Sequence, residues 1–447
     1  MSTYDLGRQP FGLASPAAWL RQVGARVVCL DLAAQALDED LVASAELVAF
    51  HLPMHTATRI AARVARRVRT LNPTAHICFY GLYAPMNEPY LRQLGAGTVL
   101  GGEFEAGLVS LVRRLRACRT PSQQPEPVVS TARLAFQVPD RGGLPPLTRY
   151  ARLVTGDGSS RTVGYTEASR GCKHLCRHCP VVPVYQGRFR VVPREVVLED
   201  VARQVAAGAE HVTFGDPDFF NGVGHARALV RELHRRHPAL TYDVTIKIEH
   251  LLRHARELPL LRETGCVLVT TAVESVDDRV LMILEKGHTR DDFVRAVQIC
   301  RSAGITLNPT FVAFTPWISL EGYRDLLSVV AGLELVDHVS PVQLSIRLLI
   351  PAGSRLLELG EVRDLVQPFD AEALCWPWRH PDPRVDGLHG DVRQLVASGT
   401  AAGATRHEIF GSIMARVEES APIPTPRPAN ERPARVTIPY LTEPWYC

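Results

Sequence analysis

A chain of 447 residues, 46% apolar and 22% charged, is long enough for more than one hydrophobic core and carries a formal net charge of only +3. That balance removes the electrostatic case for a nucleic-acid partner, and no long basic run offsets it. No run of about 18 apolar residues occurs and the N-terminus lacks a signal-peptide pattern. The chain therefore reads as cytoplasmic, and its ten cysteines as thiols or metal ligands rather than disulfides.

In chain order, Val27–Leu30, Leu47–Leu52, His76–Tyr80 and Thr98–Gly101 are short apolar runs that read as buried strands. Ala17–Val23, Ala57–Thr70 and Glu88–Leu94 carry helical spacing between them. This alternation predicts an α/β, doubly wound parallel sheet over residues 1–118. Its first strand should precede Tyr4, where only three residues stand, so the expectation is either an earlier start codon or a sheet without its central strand. Residues 119–160 read as a linker, punctuated by Pro121, Pro125, Pro127, Pro139, Pro145 and Pro146. It is long for a structureless loop and is expected to pack on a neighbour. Over 161–350 the alternation returns. Val163–Thr166, His211–Phe214, Tyr242–Ile248, Cys266–Val273, Ile305–Phe311 and Val342–Leu349 are the candidate strands, which predicts a partial (β/α)6 barrel. Residues 351–419 read as a helical C-terminal region and 420–447 as a Pro-rich, extended tail.

Seven cysteines stand singly, whereas Cys172, Cys176 and Cys179 cluster in Ser169-Arg-Gly-Cys172-Lys-His-Leu-Cys176-Arg-His-Cys179-Pro180. This segment follows the first expected barrel strand, at the end where barrel enzymes carry their chemistry. Three thiolates at these spacings hold three corners of an iron–sulfur cube. The remaining iron then keeps an open coordination position, the mark of a reactive rather than a structural site. The competing readings are a zinc site completed by His174 or His178, and three unrelated thiols. Zinc sites usually pair cysteines as Cys-x2-Cys twice, and no second pair occurs.

Cys-x3-Cys-x2-Cys after the first strand of a βα barrel resembles the radical S-adenosylmethionine (SAM) superfamily. The resemblance implies a [4Fe–4S] cluster on Cys172, Cys176 and Cys179 whose open iron chelates SAM. It also implies one-electron cleavage of SAM to a 5′-deoxyadenosyl radical, with an electron donor such as flavodoxin or ferredoxin. Asp216 and Asp218, in Phe214-Gly-Asp216-Pro-Asp218-Phe-Phe220, stand where related enzymes grip the SAM ammonium; a plain Asp-Pro turn is the alternative. Ala272-Val-Glu274-Ser275 is similar to the Gly-x-Glu-Ser strand end that contacts SAM, and a buried acid there is costly without a partner. The alternative for this pair is a helix cap. Thr310 ends the fifth strand, near the expected adenine. Arg347, inside the apolar sixth strand, is expected to meet the SAM carboxylate or Glu274, or to form a structural ion pair. Lys247 and Glu249 close the third strand. His174, His178, His250 and His288 lie near these loops and read as packing or surface residues.

The N-terminal part resembles the cobalamin-binding class of the superfamily. The carriers are Pro10-Phe-Gly-Leu-Ala, the polar stretch His51 to Arg59, Gly81-Leu-Tyr-Ala-Pro85 and Gly101-Gly102-Glu103, all expected at the ligand-binding edge of the sheet. Gly81, Gly101 and Gly102 are candidate cobalamin contacts, since glycine lets a flat ligand approach the backbone. The Asp-x-His-x-x-Gly motif of other cobalamin proteins is replaced by Tyr4-Asp-Leu-Gly-Arg-Gln-Pro10, and the alternative is a fold kept for packing. The whole chain resembles a bacterial group of radical SAM proteins whose tails end in Cys/selenocysteine-Ala-Glu-Pro. A recoded stop after Cys447 follows as an expectation, and that thiol reads either as a ligand or redox group or as a stray exposed thiol.

The function expected from these resemblances is a cobalamin-dependent radical SAM enzyme that methylates or rearranges a small molecule. The alternatives are a radical SAM enzyme with an N-terminal domain that binds no cobalamin, an RNA methylthiotransferase, and an iron–sulfur redox or scaffold protein. The methylthiotransferase class normally adds three further cysteines and a basic module. Substrate contacts are expected from residues 351–447, where Trp376-Pro-Trp378-Arg-His380 reads equally as pocket lining or as core.

Overall fold

The computed structural model of the protein describes residues 1–117, 125–420 and 438–442. Cys118, Cys447 and most of the expected proline-rich tail lie outside the described residues.

Four parallel strands form the N-terminal sheet in the order β1 (Leu47–His51), β2 (His76–Tyr80), β3 (Thr98–Gly102) and β4 (Val129–Ser130). Their inward residues, Val48, Phe50, Ile77, Phe79 and Val99, are closed off from solvent, and Phe50 stacks on Phe79 at 5.2 Å. Beyond β1 the sheet continues through Met1–Thr3. The His51 N–H donates to Met1 O at 2.8 Å, and the Met1 amine donates to Ala49 O at 2.6 Å. On the other side, Ser2 N–H donates to Leu30 O and Leu32 N–H to Ser2 O, both at 2.9 Å. Three residues therefore occupy the central place that looked vacant in sequence. Val27–Leu30 is not a strand: this edge is held by one parallel bridge, Ser2 to Asp31, and Val28 is 54% exposed. The resulting order, residues 30–32, then 1–3, β1, β2, β3, reverses direction between Thr3 and His51. Ligands of open parallel sheets bind outside such a reversal, at the carboxyl ends of the strands.

The second sheet is a curled half-barrel. Its parallel strands are β6 (Ser160–Thr166), β9 (His211–Phe214), β10 (Thr241–Thr245), β11 (Cys266–Glu274) and β12 (Thr306–Phe311), side by side in that order. At the β6 edge, β5 (Arg152–Val154) and β13 (Tyr440–Leu441) add antiparallel. The helices Arg194–Ala206, Val223–Arg236, Arg290–Ser302 and Leu320–Gly332 bury Val201, Leu229, Phe293 and Leu327 in the core shared with this sheet. A shorter pair, β7 (Ser169–Gly171) with β8 (Phe189–Val191), clasps the base of the cysteine segment.

The sixth expected strand is reduced to a single parallel bridge between Phe314 and Arg347. Pro341–Ser345 is a 3-10 turn instead, because Pro341 has no N–H for a ladder. Gln343 Oε1 accepts the Phe311 N–H at 3.0 Å in place of a strand carbonyl. The helices Pro383–Ala401 and Arg406–Ser420 pack together and against this side.

The described part of the proline-rich connection is pinned to both sheets. Arg141 donates to both oxygens of Asp200 at 2.9 Å, to Tyr165 O at 2.7 Å and to Gln9 Oε1 at 2.9 Å. Asp200 is fully buried. Replacing Asp200 by Asn leaves a largely buried guanidinium without its counter-ion, at a cost of about 3 kcal/mol. The expected readout is a lower urea midpoint together with faster proteolysis across residues 125–151; a loss below about 0.5 kcal/mol contradicts the pinning.

Candidate active site at the barrel mouth

Gly171 opens the cysteine loop with φ +73°, and a Cβ there would stand 2.4 Å from Arg188 O and 2.5 Å from the Tyr185 ring. Only glycine makes this turn without moving the clasp. The loop folds back tightly: Cys179 N–H donates to Cys176 O and Val182 N–H to Cys179 O, both at 3.2 Å. Its outer side is tied to the 284–285 turn by Arg177, which donates from its backbone to Leu284 O at 3.0 Å and pairs with Glu285 at 2.7 Å. Cys172 and Cys176 are buried and Cys179 nearly so. Burial pushes the Cys172 thiol up, and pushes Cys179 up to about 12 with Cys176 adding to the shift. Three thiols so placed ionise together only when a cation shares the charge. Metal coordination is the strongest such cation.

Two lysines approach the thiols. Lys247 Nζ is 3.7 Å from Cys176 Sγ. Lys286 is buried and pairs with Glu274 at 3.2 Å, and both Glu274 and Cys176 raise its affinity for a proton against the burial that lowers it. Glu274 ends β11 in the left-handed region at φ +68°, a strained conformation for a residue with a side chain. The twist turns its carboxylate to Lys286 and to His178 Nε2 of the cysteine loop, 3.1 Å away. Burial opposes ionisation of Glu274, but Lys286 and then His178 outweigh it and hold the carboxyl well below the usual range. Sequence reading missed Lys286 altogether and left His178 as packing. Neither carries a periodic signal, and their contact with Glu274 depends on that one strained residue.

The other expected site residues divide into groups. Asp216 is buried, accepts from Ala168 N–H at 2.9 Å and Ser169 Oγ at 2.5 Å, and so fixes the strand entering the cysteine loop; burial pushes its carboxyl up to about 7. Asp218 lies beside His174 and His250, at 3.4 and 2.6 Å. Ser275 Oγ accepts the Asp277 N–H at 3.1 Å, the start of the next helix. Thr310 stands opposite Ala272 at the end of β12. Arg347 does not meet Glu274. It pairs with Asp386 at 2.6 Å, donates to Trp378 O at 2.7 Å and stacks 3.6 Å over the Trp378 ring. The reason is the missing sixth strand, which lets residues 346–350 face the C-terminal helices.

A cavity of about 190 Å³ opens where the N-terminal sheet reverses direction and faces the barrel. His51, Phe104 and Gly102 line it from one side, and Tyr165, Arg170 and Tyr185 from the other. His51 is buried with no hydrogen-bond partner for Nδ1; burial, reinforced by the N-terminal amine and Arg170, lowers its pKa to about 3. Arg170 bridges the two sheets, touching Glu105 at 2.7 Å, Glu167 at 2.7 Å and Glu103 at 3.3 Å. One guanidinium shared by three acids leaves Glu103 pushed up to about 7, mainly by burial and despite Arg170. At the three expected glycines the Cβ direction is filled by the chain itself, although Gly102 also lines the cavity. A Cβ at Gly101 would meet Pro85 at 2.1 Å, one at Gly102 Ser130 O at 2.1 Å, and one at Gly81 Leu52 O at 2.8 Å. Local packing alone therefore requires glycine at all three.

A doubly wound sheet joined to a parallel half-barrel, with three clustered thiols at the barrel's carboxyl end, makes a two-part α/β fold with a candidate site at the barrel mouth. Residues 166–318 match the family model of the Radical SAM superfamily. It is 28% identical over 170 residues to a tRNA-2-methylthio-N(6)-dimethylallyladenosine synthase of Chlorobium phaeobacteroides, covering 36% of this chain and 37% of that one. It is 25% identical over 328 residues to the hopanoid C-3 methylase of Methylococcus capsulatus, covering 69% and 62%. The chain thus spans less than two thirds of either curated relative. Among solved structures, the cobalamin-dependent SAM radical enzyme OxsB, with aqua-cobalamin and SAM bound, superposes with TM-score 0.71 at 13% identity over 92% of this chain and 69% of that one. The radical SAM methyltransferase TsrM of Kitasatospora setae, with cobalamin and a [4Fe–4S] cluster bound, gives 0.65 at 18% identity over 93% and 97%. At these identities the likeness shows a shared fold.

Two outcomes follow from the charges. Lys286→Gln strands the buried Glu274 carboxylate and is expected to cost about 3 kcal/mol, of which Glu274→Gln in the same chain recovers more than half; additive losses in that double-mutant cycle would show that the pair is not coupled. Glu103 has an ordinary value of 4.5 and a folded value of about 7. Its ionisation therefore destabilises the fold progressively between those values and fully above them. Glu103→Gln should gain on the wild type in denaturation midpoint from pH 5 to pH 8; a difference independent of pH contradicts the shift.

Proposed function

We propose that this chain is a cobalamin-dependent radical SAM enzyme that methylates or rearranges a small molecule, using a [4Fe–4S] cluster held by Cys172, Cys176 and Cys179. The observation that carries the cluster is the donor set itself: two buried thiols and one half-buried thiol in one loop, flanked by Lys247 and Lys286. When bound, the cluster and SAM supply a 5′-deoxyadenosyl radical, and cobalamin supplies a methyl carrier. Residues 1–118 serve the cobalamin, 161–350 the cluster and SAM, and 351–447 the substrate, with 119–160 joining them.

The chain's own groups have definable tasks. Lys247 and Lys286 offset the negative charge of the thiolates. Glu274, kept ionised by Lys286 and His178, presents a carboxylate at the end of β11 to a cationic or hydroxyl group of SAM. Asp216 holds Ala168 and Ser169, and through them the entry to the loop. Val181 and Tyr185 cover the cysteines on the cavity side. The electron comes from a small electron-transfer protein such as flavodoxin or ferredoxin, which a chemical reductant replaces in vitro.

Cobalamin is supported by the inter-sheet cavity and by His51, whose orphaned Nδ1 is a fitting donor beside it. At about 190 Å³ the cavity falls below the ~300–1,000 Å³ of ordinary ligand pockets, so a corrin enters only if Phe104, Tyr185 or the Arg170 contacts withdraw. The methylthiotransferase reading has the first curated relative in its favour, over a third of the chain. Against it stand the near-neutral charge and the isolation of the remaining cysteines in sequence.

Anaerobic reconstitution of the full chain tests the proposal. About four irons per chain and 5′-deoxyadenosine formation under a chemical reductant are expected, with retained cobalt after gel filtration when cobalamin is supplied. Cys176→Ala should lose the fourfold iron and lower deoxyadenosine by more than ~100-fold. A fully loaded wild type that makes no deoxyadenosine overturns the enzyme, and one that retains no cobalt overturns the cobalamin part alone.

A further inference from the structure

Behind the cysteine loop lies a group of side chains that the proposed chemistry does not use. His174 comes from the loop, Asp218 from the turn after β9, and His250 from the first turn of the helix Ile248–Arg253. Three polar atoms, His174 Nε2, Asp218 Oδ2 and His250 Nδ1, are each buried without a hydrogen-bond partner, and all three lie within 4.8 Å of one another. The Asp218 side chain is fully buried and that of His250 is 5% exposed. Asp218 Oδ2 stands 2.6 Å from His250 Nδ1 and 3.4 Å from His174 Nε2. Two imidazoles thus converge on one buried carboxylate oxygen, an arrangement that a shared cation would satisfy more fully than the three groups satisfy one another.

The surroundings are those of a ligand set. Asp218 Oδ1 accepts the Phe220 N–H at 3.1 Å, which fixes the carboxylate and leaves Oδ2 free to point at the histidines. His174 Nδ1 faces Glu249 Oε2 at 3.6 Å, and a carboxylate behind a histidine is the usual support of a metal-bound imidazole. The two rings meet edge-on, 4.8 Å between centroids, so they are not held by stacking. Two imidazoles and one carboxylate suit zinc or ferrous iron, with positions left for water.

We propose that His174, Asp218 and His250 bind one divalent transition-metal ion, of the zinc or ferrous class, at a site separate from the three cysteines. The ion ties the cysteine loop to the rim of the barrel at the ends of β9 and β10. This holds whether or not the N-terminal sheet binds cobalamin.

The test uses the full chain with its cluster reconstituted, equilibrated with Zn2+ and desalted. About one zinc per chain beyond the cluster iron is expected. Co2+ in its place should give ligand-field bands without a thiolate charge-transfer band. Asp218→Asn and His250→Gln should lose the extra ion while keeping the cluster iron, and Glu249→Gln should weaken binding by about 10- to 100-fold. Because Asp218 is buried and its variant can fail to fold, Glu249→Gln, which changes a partly exposed residue, and the cobalt spectrum decide independently. A wild type that retains no ion beyond the cluster overturns the site. So does a cobalt spectrum dominated by thiolate, or folded variants that hold the ion as tightly as the wild type.

Discussion

The contact of Glu274 with Lys286 and His178 ties the barrel to its cysteine loop, and most of the barrel mouth depends on it. Without an ionised Glu274, Lys286 would be a buried cation next to thiols with no acid to hold it. Without the left-handed turn at Glu274 the carboxylate would follow the pleat of β11 instead of reaching the loop. A strained backbone of this kind persists only where surrounding contacts over-determine it. Here the over-determination is electrostatic: one acid, one lysine and one loop histidine in a space that excludes water.

Charge is distributed unevenly around the thiols. Lys247 and Lys286 face them, whereas Asp218 and Glu249 lie behind the loop with His174 and His250. Across the seam, Arg170 is outnumbered by Glu103, Glu105 and Glu167. A buried excess of acid is tolerable when protons or cations share it. The raised carboxyl of Glu103 shows the first solution, and the converging donors around Asp218 invite the second.

Much of this was legible in the sequence because it is local. The Cys-x3-Cys-x2-Cys spacing, its position after β6, and the acids closing β9 and β11 all sit at strand ends that hydrophobic runs mark clearly. Other features depend on contacts between distant segments. Ile346-Arg347-Leu348 alternates like a strand, but Pro341 and the Gln343 side chain remove the ladder, and Arg347 turns to Asp386. Met1–Thr3 is too short to show any period, yet it fills the centre of a sheet because Ala49 and His51 on one side and Leu30 on the other supply its hydrogen bonds. Gly81, Gly101 and Gly102 lie at the carboxyl ends of the strands, and packing on Leu52, Pro85 and Ser130 accounts for them. The burial of His51, at the end of an apolar strand, depends on segments distant in sequence and carried no local signal.

Arg170 connects the two halves of the site more directly than the distance between the sheets suggests. It lies two residues before Cys172, and only the constrained Gly171 stands between them. Arg170 lines the inter-sheet cavity and pairs with Glu103 and Glu105 across it, while β7, which carries it, is clasped by β8 and fixed at Ser169 by Asp216. The wall of the cavity and the base of the cysteine loop are therefore built from the same three-residue strand, so one set of contacts positions both.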